Sequence, residues 1–360
     1  MDTRTSFRYA VQDAQSFNTD KIDRRPGFIS SVARMGKSQK RDIRALPSIS
    51  NGRLGPVADA ARQMADGNTS ALKQVKQALD IINRLQPKLN AFAHIAAESE
   101  LTELAETLDR EREEGKIRSP LHGLPISVKD VIHVKGMPTS SGSKVMEGFM
   151  PTDDATAVRL LREAGAIIMG KAHTHEFALG VTTPQSRNPW DHSRDPGGSS
   201  GGSAISVSTG MSFLSVGTDT RASIRVPASL CGTLGYKPTY GLVSTDGIVT
   251  LSWSMDHTGL MGRTSEDVAI MMNIVQGFDS KDPGTLDRPD DDYTGYLFKD
   301  VTGLRVGLAV EALEGADPGT LSAFNHSVEK FTSLGVETVS YTHLRAHETD
   351  SYLVCRLLLE

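Results

Sequence analysis

Between Pro196 and Ile224 the chain reads PGGSSGGSAISVSTGMSFLSVGTDTRASI, with glycines on both sides of a Ser199-Ser200 pair and a further serine, Ser223, 24 residues beyond Ser199. Glycine lets the backbone take positive φ and approach other groups closely. A serine held between glycine pairs can therefore sit on a tight turn with its hydroxyl presented to a cavity. The plain alternative is a flexible Gly/Ser linker. A linker does not run on into Ile205, Val207, Met211, Phe213, Leu214 and Val216, which have the apolar content of a buried segment. The run is also too often broken by Ser, Thr and Gly to cross a hydrocarbon layer.

Composition narrows the partners. With 38% hydrophobic and 23% charged residues and a net charge of -5 over 360 residues, the chain has a soluble globular composition with nothing to attract a polyanion. Nucleic acid is not an expected partner. Cys231 and Cys355 form no CxxC pair and are too few for a disulfide framework, which fits a reducing cytoplasm. Neither a secretory signal near Met1 nor an apolar run of membrane-spanning length is visible, so no membrane partner is expected.

Residues 1–52 lack apolar periodicity and carry a basic excess, and are expected to be a poorly ordered arm. From the cap cluster Asn68-Thr69-Ser70, the spacing of Leu72, Val75, Leu79, Ile82 and Leu85 predicts an amphipathic helix that Pro87 ends. Leu101, Leu104 and Leu108 predict another. Behind Asp153-Asp154 a capped helix precedes a buried strand, AIIMG, and Thr264-Ser265-Glu266-Asp267 forms a capping box. GLRVGLAV reads as a strand and Asp317-Pro318 as a helix start. Strand and helix alternate, which implies a layered α/β domain with a largely buried sheet. His173, His175 and Glu176 match neither HExxH nor a paired zinc spacing.

Lys129 is the anomaly in the apolar run GLPISVKDVI, because lysine is rarely buried unless paired or engaged in chemistry. Two bland readings compete: a side chain that snorkels from a strand end, or a pair with Asp130. A neutral buried lysine can act as a base, once desolvation has brought its pKa from about 10.4 toward 7.

Four ordered stretches, GLPISVKD, NPWDHSRDPGGSSGGSA, GTDTRASIRVPASLCGTLGYKPT and DHTGLMGRT, resemble the amidase signature family of amide-bond hydrolases, over about residues 68–338. The resemblance implies an α/β fold of the amidase-signature type: an α/β/α sandwich with a central mixed sheet in one large domain, placed at residues 53–338. It also implies a triad of Ser223 as nucleophile, Ser199 as a bridging serine on a cis peptide, and Lys129 as base. The backbone N–H groups of Thr220, Arg221, Ala222 and Ser223 are the implied oxyanion donors. The implied substrate is a small-molecule amide, with no metal or organic cofactor, and there is room for a homodimer. Physical logic agrees, since a serine hydroxyl needs a neighbouring base and a relay serine can pass its proton to a neutral lysine.

Two departures stand out. Where the family most often has Gly-Gly before the nucleophile, this chain has Arg221-Ala222, whose side chains would strain a turn at positive φ. Residues 339–360, opening VSYTHLRAHET, resemble a translated adapter and are expected to be a non-native tail, the family members being longer. Ser200 is the weaker candidate for the bridge. Rival readings are an SxxK nucleophile at Ser141 with Lys144, a glutaminase-type A subunit of a tRNA-dependent amidotransferase, and a binding protein whose oxyanion hole is impaired.

Overall fold

The run around Lys129 folds as strand β2 (Pro125–Lys129), whose five residues are all buried. The computed structural model describes residues 55–340. In chain order these are α1 (Pro56–Ala65), α2 (Ala71–Leu89), β1 (Phe92–Ile95), α3 (Glu98–Glu113), β2, α4 (Thr156–Glu163), β3 (Ile167–Ala172), α5 (Gly201–Ser208), β4 (Leu214–Asp219), α6 (Arg225–Cys231), β5 (Leu234–Tyr236), β6 (His257–Gly262), α7 (Ser265–Val275), β7 (Arg305–Leu308), α8 (Pro318–Ser333) and β8 (Glu337–Ser340).

Six strands form one mixed sheet in the order β1-β3-β2-β4-β6-β5. Strand β2 runs parallel to both β3 and β4, and the outer pairings are antiparallel. Strands β2, β3 and β4 are buried along their whole length, as expected where both faces of a parallel sheet are covered. Helix α5 packs on all three. Lys129 pairs with Ala172, and Val128 with Val216, so the carboxyl ends of the three parallel strands lie side by side. That edge is where open α/β sheets place their ligands.

Local chemistry explains the elements. Ser70 caps α2 by accepting from the Lys73 N–H at 3.1 Å, and the Asp109 carboxylate from α3 takes the Ala71 and Leu72 N–H groups. Pro87 does not end α2. It lies inside the last turn, where its missing N–H forfeits one bond, and the helix closes at Asn90 in a left-handed cap (φ 50°). The Gln86 side chain then binds Ala91 and Phe92 and leads the chain into β1. Ala155 stands at the N-cap position of α4 without a side-chain bond, and Asp154 before it is engaged with the Lys135 N–H and with Arg162. The capping box at Thr264 and Asp267 is present, and Asp267 also accepts from the Val57 N–H, tying α1 to α7.

Strands β7 and β8 make a separate parallel pair in which Val339 faces Gly307 and Ser340 faces Leu308. The boundary expected at 339 thus falls inside a strand. The expected arm (1–52) and the remainder of the expected tail (341–360) lie outside the described residues.

The glycine stretch is no linker. Gly201–Ser208 is helical, and a Cβ on Gly202 would come within 2.3 Å of the Ala91 carbonyl and 2.4 Å of the His173 nitrogen. Alanine gains about 1 kcal/mol in helix propensity over glycine, but here it meets backbone that cannot yield. Gly202→Ala should therefore lower unfolding stability by about 1–3 kcal/mol in urea denaturation. An unchanged or raised midpoint would mean that α5 does not sit against β1 and β3 in this way.

Candidate active site

Lys129, at the end of β2, is fully buried, and its Nζ reaches Ser199 Oγ at 2.7 Å and Thr218 Oγ1 at 2.8 Å. It does not pair with Asp130. That carboxylate turns to Lys171 on β3 at 3.0 Å and also accepts from the Ser140 N–H and hydroxyl. Lys171 is a second buried lysine, and Thr139 Oγ1 (2.6 Å) and the Pro138 carbonyl (3.2 Å) complete three acceptors for its ammonium. Around Lys129, among the described residues, there are two hydroxyls and no carboxylate in contact. An ammonium there could only donate to both hydroxyls and would carry its charge with no carboxylate in contact, whereas a neutral amine can donate to Thr218 and offer its lone pair to the Ser199 hydroxyl.

Burial accordingly lowers the Lys129 pKa from 10.5 to about 7, against the opposing pull of the Asp219 and Asp256 carboxylates. For Lys171 burial also lowers the value, and the touching Asp130 carboxylate opposes it. One lysine is built as a structural ion pair. The other sits between two hydroxyls with no carboxylate in contact.

Ser199 is held by its backbone. The Gly198–Ser199 peptide is cis, and the Ser199 carbonyl accepts the His175 N–H at 3.1 Å. Gly198 has no room for a side chain, since a Cβ would stand 2.0 Å from the Thr182 carbonyl oxygen. Ser200 points elsewhere: its hydroxyl donates to the Thr218 carbonyl at 3.2 Å, while its N–H donates to the Ser223 carbonyl at 3.2 Å. That last bond places the loop carrying Ser223 directly against the serine pair. Ser223 is buried, and its hydroxyl makes no hydrogen bond among the described residues. Catalytic hydrogen bonds often tighten only when substrate arrives.

The loop from Thr220 to Ser223 is anchored at both ends. Asp219 accepts from the Ile224 N–H at 3.2 Å and pairs with Arg225, whose guanidinium also reaches the Arg221 carbonyl. Thr220 Oγ1 donates to Asp256 at 2.5 Å. Among the described residues the N–H groups of Thr220, Arg221, Ala222 and Ser223 have no protein acceptor. Neither Arg221 nor Ala222 has positive φ, so the strain expected from replacing Gly-Gly does not arise. Arg221 points its side chain to solvent.

The other candidates separate from this cluster. Ser141 is buried and Lys144 exposed, with no hydrogen bond between them. His173 meets the Gln185 amide, and His175 serves the scaffold through its N–H. Among the described residues no group of three or more His, Cys, Asp or Glu side chains is placed to hold a metal ion. Thr218, Asp219, Asp256 and Lys171 are members of the site or its frame that the sequence pattern alone does not single out. The first three lie within the family-like stretches, and Lys171 follows an apolar run just as Lys129 does.

Residues 73–360 match the Amidase family. The chain belongs to the amidase family. The A subunit of glutamyl-tRNA(Gln) amidotransferase from Chloroflexus aggregans is 41% identical over 289 residues, covering 79% of this chain and 59% of that protein. The solved peptide amidase of Stenotrophomonas maltophilia superposes with a TM-score of 0.74 at 34% identity, over 79% of this chain and 61% of that one. The A subunit of glutamyl-tRNA(Gln) amidotransferase from Thermotoga maritima gives 0.67 at 36%, over 76% and 59%. This amidase-family chain thus spans about three fifths of the length of the curated relatives it matches, and its mixed α/β fold is theirs.

Because the unfolded chain binds a proton at Lys129 between pH 7 and 10.5 that the folded chain does not, stability should rise with pH through that window. Below about pH 7 both states are protonated and the full desolvation penalty opposes folding. Lys129→Met abolishes this dependence, so wild type should gain stability relative to the variant as pH rises from 7 to 10 in chemical denaturation. A difference that stays flat over that range would mean that the folded Lys129 retains its proton.

Proposed function

We propose that this chain cleaves a carboxylic amide C–N bond through an acyl-enzyme on Ser223, with Ser199 relaying the proton to Lys129. The observation that supports it is the 2.7 Å contact between a desolvated, unpaired Lys129 amine and Ser199 Oγ. In the first step Ser199 takes the Ser223 proton as Lys129 takes that of Ser199, and Ser223 Oγ adds to the substrate carbonyl. The unengaged N–H groups of residues 220–223 stand ready for the oxyanion. The proton then returns through Ser199 to the departing nitrogen as the C–N bond breaks. Water, deprotonated along the same route, hydrolyses the ester and restores Ser223.

The curated relatives favour one substrate reading within this chemistry: a glutaminase that takes its amide nitrogen from glutamine and releases ammonia for a partner that amidates glutamyl-tRNA. The likeness to a peptide amidase supports the alternative, a free amidase acting on a small amide. An impaired binding protein is the least favoured, since the loop before Ser223 keeps its amides without positive φ.

The test is intact mass after exposure to a fluorophosphonate, followed by ammonia release from glutamine and from simple amides. A single adduct should form, vanish in Ser223→Ala, and slow by about a hundredfold or more in Lys129→Ala. Its rate should rise with pH through about 7, as Lys129 loses its proton. An adduct that persists in Ser223→Ala, or none at all, would overturn the assignment of Ser223.

A further inference from the structure

We propose that Asp256 is the residue that positions the Ser223 loop, through Thr220, and that supplies the uncompensated negative charge facing Lys129. The inference rests on the reading of Lys129 as base and Ser223 as nucleophile.

Asp256 immediately precedes β6, whose first residue, His257, pairs with Asp219 at the end of β4. The antiparallel register therefore sets Asp256 opposite Thr220, the first residue beyond β4. Its Oδ1 accepts from Thr220 Oγ1 at 2.5 Å, and its Oδ2 accepts from the Leu251 and Ser252 N–H groups at 2.7 and 3.0 Å. One buried carboxylate thus ties the head of the candidate oxyanion loop to the turn before β6, and a second tie holds that turn, from the Tyr240 hydroxyl to the Trp253 carbonyl at 3.0 Å. The bonds are directional and short. They fix where the Thr220 N–H points, which a hydrophobic contact would not.

The electrostatic half follows from a contrast between two carboxylates. Thr218, which touches the Lys129 amine at 2.8 Å, pairs with Thr258, so Asp219 follows it directly on β4 and Asp256 lies two residues before its partner on β6; both carboxylates pull the Lys129 pKa up against its burial. Asp219 is paired with the Arg225 guanidinium at 3.0 and 3.2 Å. Among the described residues no Lys, Arg or His lies within ion-pair distance of Asp256. Strand β3 alongside brings Lys171, whose charge Asp130 matches, and α5 carries no charged residue. Asp256 is thus the carboxylate whose field at Lys129 is not cancelled nearby. It keeps the amine basic enough to take up a proton during turnover, against the burial that lowers its pKa to about 7.

Two substitutions separate these roles. Asp256→Asn can keep the clamp, its carbonyl accepting the Leu251 and Ser252 N–H groups and its amide donating to Thr220 Oγ1, while the charge is lost. Thr220→Val keeps the charge and cuts the tether. In Asp256→Asn the side-chain titration of Lys129, followed by heteronuclear NMR, should move to lower pH by about half a unit or more. The acid limb of the fluorophosphonate rate should move with it. In Thr220→Val the Lys129 titration should stay in place while amide-hydrolysis kcat falls on the order of tenfold, with KM little changed.

A Lys129 titration unmoved by Asp256→Asn would overturn the electrostatic role, and wild-type kcat in Thr220→Val would overturn the positioning role. A fall in melting temperature alone, with both readouts intact, would reduce Asp256 to a structural cap and sink the proposal. If wild type forms no adduct, the reading of Ser223 fails, yet the NMR comparison still decides whether Asp256 governs Lys129.

Discussion

A single amine, withdrawn from water and given two hydroxyls in place of a counter-ion, sets the terms for the rest of this structure. Holding Lys129 with a pKa of about 7 instead of 10.5 means that its charged form is disfavoured by roughly 5 kcal/mol relative to water. That is a large fraction of what a typical domain has as net stability. It is sustained because β2 is enclosed by β3 and β4 on its edges and covered on both faces. A lysine at a frayed strand end would find water and recover its charge.

The comparison with Lys171 makes the design clear. The two lysines lie on adjacent strands, both without solvent exposure. Lys171 has a carboxylate, a hydroxyl and a carbonyl, which satisfy an ammonium completely, and so it locks the end of β2 through Asp130. By occupying Asp130, it also denies Lys129 the nearest carboxylate in sequence. The geometry of one buried ion pair thereby leaves the neighbouring amine unpaired. Breaking such a pair exposes an uncompensated buried charge, so its two members are constrained as tightly as the site itself.

How much of this is legible in the sequence depends on whether the signal is local. Lys129 stands out because a charged residue inside an apolar run is anomalous, and Ser199 and Ser223 because they sit in stretches that resemble a known family. The choice of Ser199 over Ser200 is visible in the structure as two different partners, Lys129 Nζ for one hydroxyl and the Thr218 carbonyl for the other. Helices with strong periodicity and caps are readable. Pro87 misleads because its effect depends on position within the helix, and the side-chain and left-handed closure after it cannot be read from proline alone. Thr220 and Asp256, 36 residues apart, are joined only by the register of β4 on β6, and no local pattern announces such a contact. Arg221-Ala222 looks like a defect because the sequence does not give φ. The backbone there takes ordinary values.

The central claim is that Lys129 loses its proton near neutral pH while Lys171, one strand away, is held in an ion pair with Asp130. The direct measurement is a heteronuclear NMR titration of both lysine side chains in the wild-type chain, assigned by Lys129→Met and Lys171→Met spectra. The account predicts a midpoint near 7 for Lys129, and a Lys171 whose burial is opposed by the touching Asp130 carboxylate. A Lys129 midpoint at or above the ordinary lysine value of about 10.4 would contradict it, because a permanently charged amine cannot accept the proton that Ser223 would lose in the proposed reaction.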